Sequence, residues 1–544
     1  VCSVFVQSAT VMSSANDKKL DKCVTIALAI IGVLSLAFTA VIIAGAATAT
    51  PSTDHAASTA ALPSRWESTV SSSFITQVLQ RLQTVAEPSR VIGSVGFDRT
   101  VEMVRSALTS FGVYKVWLQP FNVTSITYHS PLSVDIKVSG GSSRSISGSA
   151  AVKPMTGTAV GVVEGEVRAP ANYGCDDADY TSSTFTSSVA FVRRGDCTFR
   201  QKAEAAAKAG AVAAVIYNQG NGEDRMGVFS GTLGAPHVSI PTVAMSYTEG
   251  SAVVDQAETG SVTATVIVNA SYVVTAVNNV VGEVAEEYLS AAGVAQKPYI
   301  LVGAHTDSVS AGPGLNDNGS GTAGVLELAR SLSLLLKSGA RLASPLVFAF
   351  FGAEEEGLLG SEHFVADLIS RVGEEGARER ISAMFNFDMI GSPNGVYGVY
   401  QGSEAEIPSI RNASATLEDM FSAYFEKEGV PHTFKAFNGR SDYGPFIEAG
   451  IPAGGVETGA EVKKTEEEME TFGGLANAAY DPCYHQSCDT FYNVDREMVT
   501  TITKSAAKVV GTLAILDDVP RYLARGNEVH TAGSEGQYIR PTFI

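Results

Sequence analysis

Three runs between residues 298 and 391, PYILVG, PLVFAFFG and SAMFNFDMIG, are apolar almost without a break. A strand with one face in water alternates apolar and polar residues, so runs like these must be covered on both faces. Helical patterns separate them: GTAGVLELARSLSLLLKSG after the first run and a helix-like region at 358–371 after the second. Strand–helix–strand repetition of this kind predicts an α/β fold, a sheet with helices on both faces. MVTTITKSAAKVVGTLAIL (498–516) supplies a closing helix.

Each buried run ends in acids or histidine. GAHTD gives His305 and Asp307, and the loop GLNDNGSG, which leads into the next helix, gives Asp317. FFGAEEEG gives Glu354, Glu355 and Glu356, NFDMIG gives Asp388, and CYHQSCD, far downstream, gives His485. The carboxyl ends of strands form the ligand crevice of an open α/β sheet, so these side chains are expected to converge. Singly, each has an ordinary explanation: acids are favoured in the first turn of a helix, and NDNGSG reads as a loop. Four strand ends carrying ligand-type residues are harder to ascribe to chance.

Two histidines with several carboxylates suit Zn²⁺ or a similar divalent ion. They are more ligands than one catalytic zinc uses, whereas two ions about 3.5–4 Å apart that share a carboxylate use them all. Asp317 is placed to bridge. Asp307, two residues after His305 on an extended chain, is placed to orient its imidazole. The TEEEMET run at 465–471 reads as a solvated face.

A chain of 544 residues exceeds one core, so several domains are expected. Residues 1–50 hold a tail and a hydrophobic segment, and 51–72 are small, polar and patternless, the composition of a linker. Residues 73–149 begin the principal domain with helical patterns at 74–86 and 96–112 and short β-like runs. A different rhythm fills 150–270: SSVAFVRRGDCTFRQKAEAAAKAGAVAAVIYNQG is a strand, a turn, an alanine-rich helix closed by Gly210, and a second buried strand. It contains no cluster of His, Asp and Glu, hence no expected catalysis. The principal domain resumes over 271–520, and the tail at 521–544 lacks apolar periodicity and reads as flexible.

VTIALAIIGVLSLAFTAVIIAGAA, residues 24–47, carries no charge and follows Lys18, Lys19 and Lys22. A bilayer span takes about 20 apolar residues, and the lysines would stay cytoplasmic. Small residues at 44–50 also permit a cleaved signal peptide, although the apolar region is long for one. Either reading sends the rest of the chain into the secretory pathway, membrane-anchored and facing the lumen or exterior, or secreted or vacuolar if cleaved. Cysteine usage agrees, since Cys175/Cys197 and Cys483/Cys488 form two local pairs that an oxidising compartment would allow to close. N-glycosylation acceptors occur at Asn122, Asn269, Asn318 and Asn412. A net charge of −19 argues against a nucleic-acid partner.

GAHTDSV, GLNDNGSGTAGVLELAR, FFGAEEEGLLGS, NFDMIGS, GRSDYGPF and CYHQSCD occur in the order and spacing of the secreted dizinc aminopeptidases, and the chain resembles that family. The resemblance implies a mixed central sheet with helices on both faces, the zinc exopeptidase fold. It further implies two Zn²⁺ per chain: His305 and Asp388 on one, Glu355 and His485 on the other, Asp317 between them. Glu354 is then the general base, taking a proton from the attacking water and passing it to the leaving amine. Tyr484 resembles the family tyrosine that polarises the scissile carbonyl, and Arg440 an arginine of the substrate pocket. Cys483 and Cys488 flank Tyr484 and His485 as the family disulfide does. A glycan on Asn318, beside the bridging aspartate, would block the site, so Asn318 is expected to be bare. FVRRGDCTFRQKAEAAAKAGAVAAVIYN with IPTVAMS resembles the protease-associated domain, a lid-like module inserted in several peptidases, and the combination looks like the vacuolar aminopeptidase branch.

The expected activity is removal of N-terminal residues from peptides. A carboxypeptidase of the same clan would need basic residues for a C-terminal carboxylate, and Arg440 alone is no cluster. A non-catalytic binding protein like the transferrin receptor keeps the fold without peptidase activity, but here all five ligands and the base are present. The inserted domain's own protein partner is not indicated by the sequence.

Overall fold

The computed structural model describes residues 61–180, 185–222, 225–234 and 237–524. The apolar segment 24–47 and the tail from residue 525 lie outside the described residues. Among the described residues no helix is long and apolar enough to cross a membrane. The chain divides into one unit made of residues up to Val123 and from Ala276 onward, and a second unit, Thr124–Thr275, inserted between them.

The first unit opens with a helix, Leu62–Thr69, inside the stretch whose composition suggested a linker. Trp66 is fully buried, and its indole N–H donates to the Leu328 carbonyl at 3.2 Å and the Ser331 hydroxyl at 2.9 Å. Eight residues are too few for an amphipathic period to stand out, which is why composition alone misleads here. Helices Ser72–Ala86 and Val95–Ser110 follow, capped by Ser71 and Ser94, whose hydroxyls accept the Phe74 and Phe97 N–H groups. Strand β1 (Tyr114–Tyr128) then runs across the boundary into the second unit.

That unit holds β2 (Ser133–Val138), β3 (Ser143–Ser147), β4 (Val152–Pro154), β5 (Gly161–Arg168), β6 (Ser188–Arg193), β7 (Ala213–Tyr217), β8 (Thr242–Met245) and β9 (Val262–Val268). They form one sheet in the order β3-β2-β9-β5-β6-β7-β8-β4. The expected strand–helix–strand piece is β6, helix Phe199–Lys208 and β7, with β6 and β7 parallel and a capping box between Thr198 and Gln201. Cys175 and Cys197 are disulfide-bonded. The unit starts earlier than the sequence placed it, because β2 pairs antiparallel with β9 along its whole length and so draws residues 124–149 away from the peptidase-like unit.

Strand β10 (Ala270–Val284) returns to the first unit, where β11 (Tyr299–His305), β12 (Leu346–Phe351), β13 (Ile381–Phe387), β14 (Gly398–Tyr400), β15 (Thr433–Lys435) and β16 (Ala453–Glu457) complete a mixed sheet ordered β1-β10-β12-β11-β13-β16-β14-β15. Every residue of β11, β12 and β13 is buried. On one face Ile300, Val302 and Phe348 pack with Leu326 and Leu332 of helix Gly319–Lys337. On the other, Leu301 and Val347 pack with Phe364 and Leu368 of helix Leu359–Arg380. Each such side chain contributes about 1.5–3 kcal/mol by leaving water. β11 lies parallel to β12 and β13 on either side, with His305 opposite Phe351 and Gly303 opposite Asn386. Three strands therefore end at one level, and the chain leaves β11 for neighbours on both sides, the switch point where α/β sheets bind ligands.

Candidate active site and metal centre

The residues that leave these strand ends meet. His305 is fully buried, and its Nε2 lies 3.3 Å from Asp317 Oδ1, 3.4 Å from Asp388 Oδ1 and 3.8 Å from Glu354 Oε2. His485 Nε2 lies 3.2 Å from Asp317 Oδ2 and 3.0 Å from Glu355 Oε2. Two groups able to hold a metal ion result, one of His305, Glu354 and Asp388 and one of Asp317, Glu355 and His485. Asp317 turns one carboxylate oxygen toward each histidine.

Local structure explains how each ligand-type side chain is aimed. Asp317 ends the loop before helix Gly319–Lys337, whose N-cap is Asn318. The Asn318 amide donates to the Phe387 carbonyl at 2.9 Å while its oxygen accepts from Gly321 N–H at 2.9 Å. Glycine at 321 is required, since a Cβ there would sit 2.1 Å from the Phe387 carbonyl oxygen. Asn318 is fully buried, so this acceptor has no room for a glycan; Asn122, Asn269 and Asn412 are exposed.

Asp307 lies 3.5 Å from His305 Nδ1, and it also accepts the Glu354 and Glu355 backbone N–H groups at 3.1 and 3.2 Å. One carboxylate thus ties the end of β11 to the acidic turn after β12. Glu356, third in that turn, points to solvent. The Ser441 hydroxyl donates to Asp388 at 2.6 Å.

His485 and Tyr484 sit in the short loop closed by the Cys483–Cys488 disulfide, with their rings stacked at 3.8 Å. The loop approaches the Asp317 loop so closely that a Cβ on Gly312 would lie 2.4 Å from the Gln486 carbonyl oxygen. Arg440 donates to the Tyr484 hydroxyl at 3.2 Å and to Glu461 at 2.8 Å. Tyr484, Arg440, Glu354 and Asp388 all line a cavity of about 210 Å³ that opens beside the two histidines.

The electrostatics of the centre ask for positive charge. Burial alone would lower the His305 imidazole, but Asp388, Glu354, Asp307 and Asp317 outweigh it and raise it well above its ordinary value. Burial, joined by Asp388, Asp442 and Asp317, raises the Glu354 carboxyl well above the usual range against the pull of His305. His305 Nδ1 and Nε2, Glu355 Oε1 and Asp388 Oδ1 are buried without a hydrogen-bond partner. Buried polar atoms are normally paired; His305 Nδ1 faces Asp307 at 3.5 Å, and the remaining bare atoms belong to His305, Asp388 and Glu355 of the two ligand groups, nitrogen and oxygen donors that divalent cations satisfy.

Residues 279–510 match peptidase family M28, and residues 158–253 match the PA domain. An aminopeptidase of Pseudomonas aeruginosa is 33% identical over 492 residues, 86% of this chain and 84% of that protein. Leucine aminopeptidase 2 of Trichophyton tonsurans is 34% identical over 442 residues, 80% and 83% of the two chains. The chain belongs to peptidase family M28. The solved aminopeptidase from Aneurinibacillus sp. strain AM-1 shares 25% identity and a TM-score of 0.60 over 89% of this chain and 98% of that one. This M28 peptidase is a metal-dependent aminopeptidase with an inserted PA domain, and neither the carboxypeptidase nor the receptor alternative is favoured.

Three residues that support the M28 site carried no signal in the sequence reading. Asp489 accepts the Asn316 and Asp317 N–H groups at 2.8 and 3.0 Å, clamping the Asp317 loop; it stands in CYHQSCD, where its acid could have drawn notice. Asp442 is fully buried beside the centre with both oxygens unpartnered, and burial, with Asp388 and Asp307, pushes its carboxyl up to about 7 against His305 and Ser361.

Arg90 is the third, fully buried behind the strand end. It donates to the carbonyls of Thr306 at 2.9 Å, Gly314 at 2.8 Å, Asp307 at 3.1 Å and also Pro313. Burial lowers its guanidinium while Asp489, Asp307 and Asp317 hold it up. Removing one partner of a buried charged network costs about 3–5 kcal/mol. Arg90→Met is therefore expected to lose stability of that size in urea melts of the full chain. A loss below about 1 kcal/mol, the scale of a surface pair, would show that the carbonyl cluster holds without it.

Proposed function

We propose that the protein removes N-terminal residues from peptides with two zinc ions, held by His305 and Asp388, by Glu355 and His485, and by Asp317 between them. The observation that carries this reading is Asp317, whose two oxygens lie 3.3 and 3.2 Å from the Nε2 atoms of two different histidines. The unpartnered nitrogen and oxygen atoms of His305, Glu355 and Asp388 fit the ligand chemistry of zinc. When bound, such a pair supplies Lewis acidity and lowers the pKa of water toward neutrality.

The chain's own groups do the rest. Glu354, farther from His305 Nε2 than Asp317 or Asp388 is, acts as general base: it takes a proton from the attacking water and delivers it to the leaving amine. Its raised carboxyl pKa suits an acid–base group that must both accept and donate. Asp307 holds the Glu354 and Glu355 backbone and orients His305. The Tyr484 hydroxyl, held by Arg440 at 3.2 Å, donates to the scissile carbonyl as negative charge grows on its oxygen.

The test is hydrolysis of leucine p-nitroanilide and its N-acetyl derivative by the full chain. Cleavage of the free amine only, lost on chelation and restored by zinc with two zincs bound per chain, is the expected result. Equal cleavage of both substrates would rule out an exopeptidase that reads a free amine, and one zinc at full activity would rule out the paired centre.

A further inference from the structure

The cavity beside the metal centre has a charged wall that the chemistry above does not use. β13 and β16 run parallel with Phe387 opposite Val456. The next residue on each strand therefore emerges at the same level: Asp388 on one and Glu457 on the other. Both line the cavity. The reading above puts the scissile carbonyl of the N-terminal residue at the metal centre, so the space beyond Asp388 is what remains for that residue's side chain.

We propose that this pocket selects a basic N-terminal residue, with the Glu457 carboxylate receiving its ammonium or guanidinium group. The proposal rests on the aminopeptidase reading and names its substrate class. Charge accounting around the cavity supports it. The four carboxylates at the centre are offset by two dications, and Arg440 is paired with Glu461 at 2.8 Å. Lys435 also lines the cavity, but its ammonium lies 4.3 Å from the centroid of the Tyr480 ring. The Tyr480 hydroxyl donates to Glu468 at 2.6 Å, and Lys435 draws both the Glu457 and the Glu468 carboxyls down, so its charge is shared between two carboxylates and a ring rather than given to Glu457 alone.

Glu457 is left with the Tyr400 hydroxyl as hydrogen-bond partner, and among the described residues no cation stands within ion-pair distance of it. Burial first, then Asp388, push its carboxyl up to about 7 although Lys435 and Arg440 pull it down. A half-buried carboxyl in that position gains from an incoming cation. The Tyr443 ring forms further wall, an apolar face for the methylene stem of a lysine or arginine.

The readout is the ratio of kcat/KM for lysine over leucine p-nitroanilide, measured on the zinc-loaded full chain with arginine and glutamate substrates alongside. The wild-type ratio is expected to exceed one. Glu457→Gln should lower it by about 10–100-fold, the worth of one charge-assisted hydrogen bond, and Lys435→Met should raise it. A wild-type ratio below one, a shift within about threefold for Glu457→Gln, well under that one bond's worth, or a preference for glutamate would overturn the proposal, the last by assigning the pocket to Lys435. Should the melting curve of Glu457→Gln show an unfolded variant, Lys435→Met decides, and an unchanged ratio there counts against it. Failure of all four substrates would instead sink the aminopeptidase reading itself, which leucine-selective cleavage would not.

Discussion

Glu354→Gln is expected to fill with two zincs per chain and to turn over leucine p-nitroanilide about 10²–10⁴-fold more slowly, the usual worth of a positioned general base. The amide keeps the size of the carboxyl and cannot take a proton. Because Glu354 lies 3.8 Å from His305 Nε2, outside the closer approach of Asp317 and Asp388 at 3.3 and 3.4 Å, metal content should hold. The loss should fall on kcat with KM little moved, the signature of an interaction made in the transition state. Steady-state kinetics with metal analysis of the same sample checks both parts. A variant that loses a zinc as well would make Glu354 a ligand of the His305 group, with which it clusters, rather than the base.

Asp317→Asn should do more damage by a different route. One carboxylate faces both histidines at 3.3 and 3.2 Å, and the acids grouped with those histidines, Glu354, Glu355 and Asp388, are buried or half-buried. Asparagine offers one oxygen and no charge, so at most one ion keeps an oxygen from this position and the remaining carboxylates no longer balance the pair. Bound zinc should fall to one per chain or fewer, and activity should fall at least as far as in Glu354→Gln. A readout free of turnover is the rise in melting temperature on adding zinc, which reflects affinity for the folded state and should shrink or vanish. Two zincs retained with an undiminished thermal shift would mean that Asp317 is not a shared ligand.

Much of this site was legible in the sequence because its physics is local. β11, β12 and β13 are buried on both faces, so they read as unbroken apolar runs, and the polar residues that end them stand out. His305, Asp317, Glu354, Glu355, Asp388 and His485 could all be listed from that contrast together with the family resemblance, and the structure brings the six together. What stayed hidden depends on long-range partners. Arg90 is a lone arginine between two helices until the loop after β11 folds onto it. Glu457 is one acid at the end of a short strand until the register with β13 sets it beside Asp388. The start of the inserted unit left no mark because β1 and β10 run unbroken across the boundary.

That splicing has a consequence for how the chain is made. Helix Ser72–Ala86 packs against helix Gly319–Lys337, which leaves the ribosome only after the whole inserted unit. At about 5–20 residues per second, roughly 10–50 s separate the completion of helix Val95–Ser110 from that of its partner. The apolar side chains of the three helices between Leu62 and Ser110, Trp66, Leu79 and Val104 among them, must spend that time without the core that covers them. The inserted unit closes its own sheet in the interval, once β9 emerges and joins β2 to β5. Synthesis of this peptidase is thus out of step with its architecture: the insert is finished first, while the opening helices wait for the strands that will give them a place.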